Sequence, residues 1–324
     1  MNRQKVFLEM METLIGKPIN FEDTIGQSKD ALEENCAKLS SEVGNPFEVN
    51  LDEAKEPCPF CGSNIDKPFD LVWVGLNPGG PLDACKRLFS WQNTTWQELV
   101  DFCVPTSDIR ESEKNIYQYL KKGKEKDDGT EGKPIESKYY QFFLRFHLAL
   151  ATGKIYDNWT DLTSNYDDVK KCFVDHFAKY SILNADLVPY KSNKTTFNAE
   201  KLLDDKSYGN YFSKLINFIE EETNPDAWII FYGQTGYSKN ERAFGTRDLL
   251  EKFAPHWNVP KKSDFFPITV TTKSSKKSQP RYFYTFSHGQ RKILLSPFLS
   301  GSSPSSIASQ LEVLINKMKK LENK

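Results

Sequence analysis

Four short apolar runs, each running into a turn or a polar break, constrain this chain more than anything else in it. They are Phe69–Leu76 before Asn-Pro-Gly-Gly, Tyr180–Leu187, Trp228–Tyr232 and Arg291–Leu295. Runs of this length read as buried strands. Helical segments separate them, a pattern that implies a mostly parallel sheet covered on both faces. The expected fold class is therefore α/β, a three-layer αβα sandwich. In such sheets ligands bind beyond the carboxyl ends of the strands, so the chemistry is sought in the segments that follow them.

The remaining pattern fills in around that sheet. Residues 3–15 carry helical apolar spacing at Val6, Met10 and Leu14, and residues 28–42 read as a second helix. Together with a knuckle-like Cys58-Pro-Phe-Cys61-Gly turn they make an N-terminal extension over 1–66, ahead of an α/β domain over 67–324. Residues 110–138, rich in Lys, Glu and Gly, read as an exposed insertion. Tyr139–Leu150 reads as an apolar helix. Ile268–Thr272 and Tyr282–Phe286 alternate like a hairpin spanning 268–286, and Ile307–Leu321 closes the chain as an amphipathic helix with Leu311, Leu314 and Met318 on one face. With 23 Phe and 14 Tyr there is ample apolar mass for a core. Glu9 and Glu12 break the first apolar run, and no stretch approaches the ~20 apolar residues of a membrane span. A soluble cytoplasmic protein without membrane association is expected.

Three strand ends carry groups with chemical use. Gly75-Leu76-Asn77-Pro78-Gly79-Gly80 follows the first strand; glycine lets backbone approach a ligand, and proline stiffens the turn. Either the turn is purely structural, as such turns more often are, or a carboxamide held there at Asn77 orients a water, although an amide is a poor proton acceptor. Asn184 interrupts the second strand; a buried amide needs partners, and it either ties down a neighbouring loop or reads a base edge. Ser296-Pro297-Phe298-Leu299-Ser300 follows the last strand, its apolar tip either folded onto the core or a wedge for a base stack.

In this order the segments resemble motifs of the uracil-DNA glycosylase superfamily. Gly-Leu-Asn-Pro-Gly at 75–79 is similar to the first motif of the mismatch-specific and thymine-DNA glycosylase branch. Ile182-Leu183-Asn184 resembles the strand that supplies a base-reading Asn, Trp228–Gly233 the third strand, and Ser296–Ser300 the second motif. The resemblance covers about residues 69–305 and departs from the family at Ser296, where His or Asn is usual. It implies a uracil-DNA glycosylase-like fold and a DNA N-glycosylase acting on a flipped base without a cofactor. Asn77 would position water, with Gly75, Leu76, Pro78 and Gly79 shaping the pocket around it. Tyr140 or Phe143 would stack on the base, Asn184 would read its edge, and Ser296 and His288 would stabilise the departing anion. The smaller Ser296 and the insertion favour a modified pyrimidine, such as phage glucosylated hydroxymethylcytosine. Uracil or mismatched thymine repair, and a catalytically silent sensor on the same fold, are the alternatives.

The net charge of −1 makes the DNA argument a local one. Lys273, Lys276, Lys277 and Arg281 cluster at the hairpin tip, either as a solvated turn or as a phosphate grip beside Pro297, Phe298, Leu299 and Ser300. No metal is expected: Cys58 and Cys61 supply two of the four ligands zinc needs, a second CxxC or CxxH is absent, and Cys36, Cys85 or Cys103 would complete the set only by distant convergence. Some branches of the superfamily carry an iron–sulfur cluster on four cysteines. No pair among the four histidines has metal spacing, and no Gly-x-Ser-x-Gly turn or phosphate-binding loop is present.

Overall fold

In a computed structural model of the chain, the described residues are 2–53, 55–62, 66–76, 90–104, 181–192, 199–232, 245–261, 268–271 and 280–296, with positions 106, 146, 149, 311, 312, 315 and 316. Five helices belong to these residues: α1 Arg3–Ile15, α2 Lys29–Val43, α3 Trp96–Cys103, α4 Lys206–Glu222 and α5 Gly245–Phe253. Seven strands, β1 Phe60–Cys61, β2 Phe69–Gly75, β3 Ile182–Asp186, β4 Thr223–Tyr232, β5 Ile268–Thr271, β6 Pro280–His288 and β7 Arg291–Ser296, form one sheet in the order β1-β3-β2-β4-β7-β6-β5.

The four central strands β3, β2, β4 and β7 are the four apolar runs, and they are mutually parallel. The edges are antiparallel: β1 on β3, and β6 and β5 beyond β7. A mixed α/β protein with a mostly parallel centre is thus what the chain forms. The β6–β7 connection is a two-residue turn at Gly289 and Gln290, and Gly289 adopts φ 59°. A turn this short needs a positive φ at its first position, which glycine supplies without strain.

Strand alternation sends neighbouring residues to opposite faces. One face presents Val72, Val74, Leu183, Ala185, Ile229, Phe231, Ile293 and Leu295, and it shares a continuous core with all five helices. Each helix has a local reason to form. Asp205 caps α4 by accepting from the Tyr208 backbone N–H, and Tyr208, Tyr211, Phe212, Leu215, Ile216 and Ile219 recur at helical spacing on its buried side. Thr95 and Glu98 form a reciprocal capping box at the start of α3. Gly16 and Gly44, at φ 77° and 68°, terminate α1 and α2 in left-handed caps.

The N-terminal residues pack against the sheet and its helical layer. Phe7 packs edge-on against Phe60 at 5.6 Å, Phe60 stacks on Phe218 at 4.5 Å, and Arg3 pairs with Glu222 at 2.6 Å. β1 is a strand of the same sheet, and α1 lies in the helical layer beside α4. On the opposite face Trp73 meets Phe146 at 5.8 Å and Tyr232 at 5.3 Å. Phe146 and Ala149 are helical and buried, as are Leu311 and Ile315 in the closing segment. No helix among the described residues is long and apolar enough to cross a membrane.

Candidate functional site

The parallel register brings four strand ends together. Gly75 pairs with Asp186, Val74 with Phe231, and Tyr232 with Ser296. Gly75, Asp186, Tyr232 and Ser296 therefore end adjacent strands side by side, and alternation turns them to the face that carries Trp73 and Asn184. The chain holds its register past the strands: Leu187 N–H donates to the Gly75 carbonyl and Val188 N–H to the Leu76 carbonyl, both at 3.0 Å. Leu76 is buried and its carbonyl is held by that bond. Asn77, Pro78 and Gly79 themselves lie outside the described residues, as do Tyr140, Phe143, Lys273, Lys276, Lys277, Pro297, Phe298, Leu299, Ser300 and the 110–138 insertion.

Asp186 is the group that the sequence reading overlooked. A Cβ on Gly75 would lie 2.6 Å from Asp186 Oδ1, so the carboxyl is seated over the glycine and needs its missing side chain. Burial drives the Asp186 carboxyl well above the ordinary carboxylate range; Cys61 adds to the rise and Lys191 opposes it. Such a carboxyl keeps its proton to higher pH than an exposed one, and so it can donate. Its place within Ile-Leu-Asn-Ala-Asp, two residues after Asn184 and on the same face, was the available signal.

Asn184 is half-buried, between Trp73 of β2 and Cys61 of β1 in the register. Ser296 is fully buried at the end of β7. Tyr232 and Trp73 add a tilted aromatic pair beneath the same strand ends. Neither of these aromatics was expected at the site, because both read as ordinary strand core.

His288 does not join them. It ends β6 opposite Arg291, the first residue of β7, whereas Ser296 is the last. Five residue steps separate those ends, about 16 Å at the usual rise. His288 instead bonds Glu220 at 2.8 Å and stacks on Trp257 at 5.3 Å. His288 and Ser296 therefore stand at opposite ends of the β6–β7 pair, and the structure does not bring them together. Glu220 also takes His256 at 2.7 Å and the Trp257 indole N–H at 3.2 Å. Burial alone would raise its pKa, but the hydrogen bonds from His288, His256 and Trp257 hold it down at about 2.

The hairpin points the other way. β6 begins at Pro280, four residues before Tyr284 pairs with Leu295, so Thr271 and Pro280 stand beyond the end of β7, at the end of the sheet where Ser296 lies. Arg281 belongs to β6 opposite Val270.

The knuckle borders the same mouth. Asp186 N–H donates to the Pro59 carbonyl at 2.9 Å, and Cys58 N–H to the Pro189 carbonyl at 2.7 Å. Cys103, at the end of α3, meets Cys58 and Cys61, the convergence that sequence separation had concealed. Contact with Cys103 and Cys61, together with burial, raises the Cys58 thiol well above its ordinary value. For Cys103 the Cys58 hydrogen bond acts downward, but Cys61 and burial outweigh it.

Fold and site define an α/β protein in which Gly75, Asp186, Tyr232 and Ser296 stand together at the carboxyl ends of four parallel strands. In comparisons with known proteins, no family model, no curated protein and no solved structure matches the chain.

Proposed function

We propose that this chain is a DNA N-glycosylase that accepts a flipped base at the carboxyl ends of β2, β3, β4 and β7, on a three-layer αβα sandwich of the uracil-DNA glycosylase type. Phe146 and Ala149 would belong to its second helical layer. The observation that carries the reading is the side-by-side ending of Gly75, Asp186, Tyr232 and Ser296, where three separate motif-like segments emerge at one mouth.

Glycosidic cleavage passes through an oxocarbenium-like state, with positive charge on the sugar and negative charge on the base. Asn77 holds a water below C1′. The water oxygen bonds to C1′ as the C1′–N bond breaks and its electron pair leaves with the base. Asp186 gives its proton to the departing base and then takes one from the attacking water, so the enzyme returns to its starting state. Asn184 hydrogen-bonds the base edge, and the buried Ser296 hydroxyl lies at the adjoining strand end.

The expected substrate is a pyrimidine larger than uracil, because Ser296 is smaller than the His or Asn usual at that strand end in the superfamily the motifs resemble. Phage DNA carrying glucosylated hydroxymethylcytosine, the same DNA without glucose, and duplexes with uracil or mismatched thymine should be incubated with the protein and assayed for alkali-labile abasic sites. Sites are expected on the phage DNA. Asn77→Ala is expected to lower the rate about 10²–10³-fold with the fold retained. Release of uracil alone would return the protein to ordinary repair. DNA binding with no abasic sites on any substrate would make it a sensor.

A further inference from the structure

We propose that Cys58, Cys61 and Cys103 bind one zinc ion, independently of the glycosylase reading. The three sulfurs lie within 4.8 Å of one another. Cys58 Sγ is 3.2 Å from Cys61 Sγ and 3.7 Å from Cys103 Sγ. Tetrahedral zinc with sulfur at about 2.3 Å requires ligand sulfurs ~3.8 Å apart, so the thiols already sit near the edges of the required tetrahedron. All three are free of disulfides.

The surroundings fix that geometry before any ion arrives. Cys58 and Cys61 occupy a Cys-Pro-x-Cys-Gly knuckle whose Gly62 N–H donates to the Cys103 carbonyl at 3.1 Å, tying knuckle to helix end. A Cβ on Gly62 would meet Leu183 at 3.0 Å and Phe69 at 3.2 Å, so the knuckle is pressed against the sheet. Cys58 and Cys103 are buried and Cys61 is half-exposed, which leaves one side open for a fourth ligand.

The spacing also selects the cofactor class. An iron–sulfur cube attaches each cysteine to a different iron and so spreads its thiolates apart, whereas here the sulfurs converge on one point. A redox disulfide would use two thiols and leave the third packed against it. Soft thiolate ligands in a tetrahedral arrangement suit zinc. Binding displaces the thiol protons to solvent as zinc–sulfur bonds form, with no change of oxidation state. The ion then staples β1 and the end of α3 to β3, beside Asn184, the register partner of Cys61.

The full-length chain, purified under reducing conditions without chelator, is expected to contain about one zinc per molecule by elemental mass spectrometry. Cobalt reconstitution should give tetrahedral ligand-field bands with sulfur-to-cobalt charge transfer. Cys58→Ser, Cys61→Ser and Cys103→Ser should each lose most of the metal, and Cys36→Ser, in α2, should retain it. If the serine variants fail to fold, the wild-type protein still decides. Chelation should expose three additional thiols to alkylation, and added zinc should protect them again. Failure of the reduced protein to hold zinc against a weak chelator would overturn the site. So would iron with acid-labile sulfide, or a Cys58–Cys61 disulfide in protein isolated with thiols trapped.

Discussion

At Gly75 the side chain is absent because Asp186 occupies its place. Gly75→Ala would put a methyl 2.6 Å from Asp186 Oδ1, and the carboxyl, on a short side chain, would have to turn away. The expected loss of stability is ~1 kcal/mol, at the low end of overpacking, because one side chain moves and no backbone must. Base release is expected to fall about 10²-fold, the usual effect of displacing a reacting group by an ångström. Thermal unfolding separates the two effects. Adding Asp186→Ala to Gly75→Ala should restore stability without restoring release, and unchanged melting of Gly75→Ala would show that the carboxyl is not seated there. The glycine was legible from sequence as part of a tight turn, but its partner was not. Asp186 becomes adjacent to Gly75 only through the β2–β3 register, which no local pattern specifies.

Among the elements, α4 and the β6–β7 hairpin are joined by a polar latch. Glu220 near the end of α4 accepts from His288 and His256, while Arg291 donates to the Glu220 carbonyl at 2.6 Å and to Thr223 Oγ1 at 2.9 Å. Glu220 has a pKa of about 2 in place of 4.5, so its contribution is fully present above the unfolded value and is lost as pH falls through the folded one. Glu220→Gln is therefore expected to cost ~2 kcal/mol in urea unfolding at pH 6–7, after discounting for partial exposure. The gap to wild type should narrow as pH falls below 4.5 toward 2, and a constant gap would assign the loss to packing rather than charge. This latch holds His288 at the end of β7 away from Ser296. Only seven residues separate it from Ser296 in sequence, but the two-residue turn at Gly289 reverses the chain, and strand direction carries the pair to opposite ends. The four apolar runs were legible as strands because burial on both faces leaves them continuously hydrophobic. Helix α4, with its Asp205 cap and regular aromatic spacing, carried an equally clear signal that the strand-led reading passed over. The convergence of Cys103 on the knuckle had no such signal, since α3 and β1 meet only through tertiary packing.

At the scale of the whole molecule, a chain of net charge −1 has no general attraction for DNA, so any grip must be local and must lie at the mouth. In sequence, Lys273, Lys276 and Lys277 lie between β5 and β6, with Arg281 in β6, and the described strand ends meet the positional half of that requirement. Those ends, Thr271 and Pro280, pass beyond β7 at the end where β2, β3, β4 and β7 terminate. A phosphate contact releases condensed counterions, so each one makes duplex affinity steeper in salt by roughly 0.9 in the log–log slope. Replacing Lys273, Lys276, Lys277 and Arg281 together by serine is expected to weaken duplex binding and to flatten that slope by up to about 3.6, the full value only if all four touch phosphate. Catalysis at saturating DNA should change far less than affinity, because phosphate contacts position the duplex and do not act on the glycosidic bond. Fluorescence anisotropy across a salt series measures the slope, and single-turnover release at saturation measures the chemistry. An unchanged slope would make the turn a solvated surface and move the DNA path elsewhere on the mouth. A lost slope with lost single-turnover chemistry would instead give the hairpin a part in shaping the pocket.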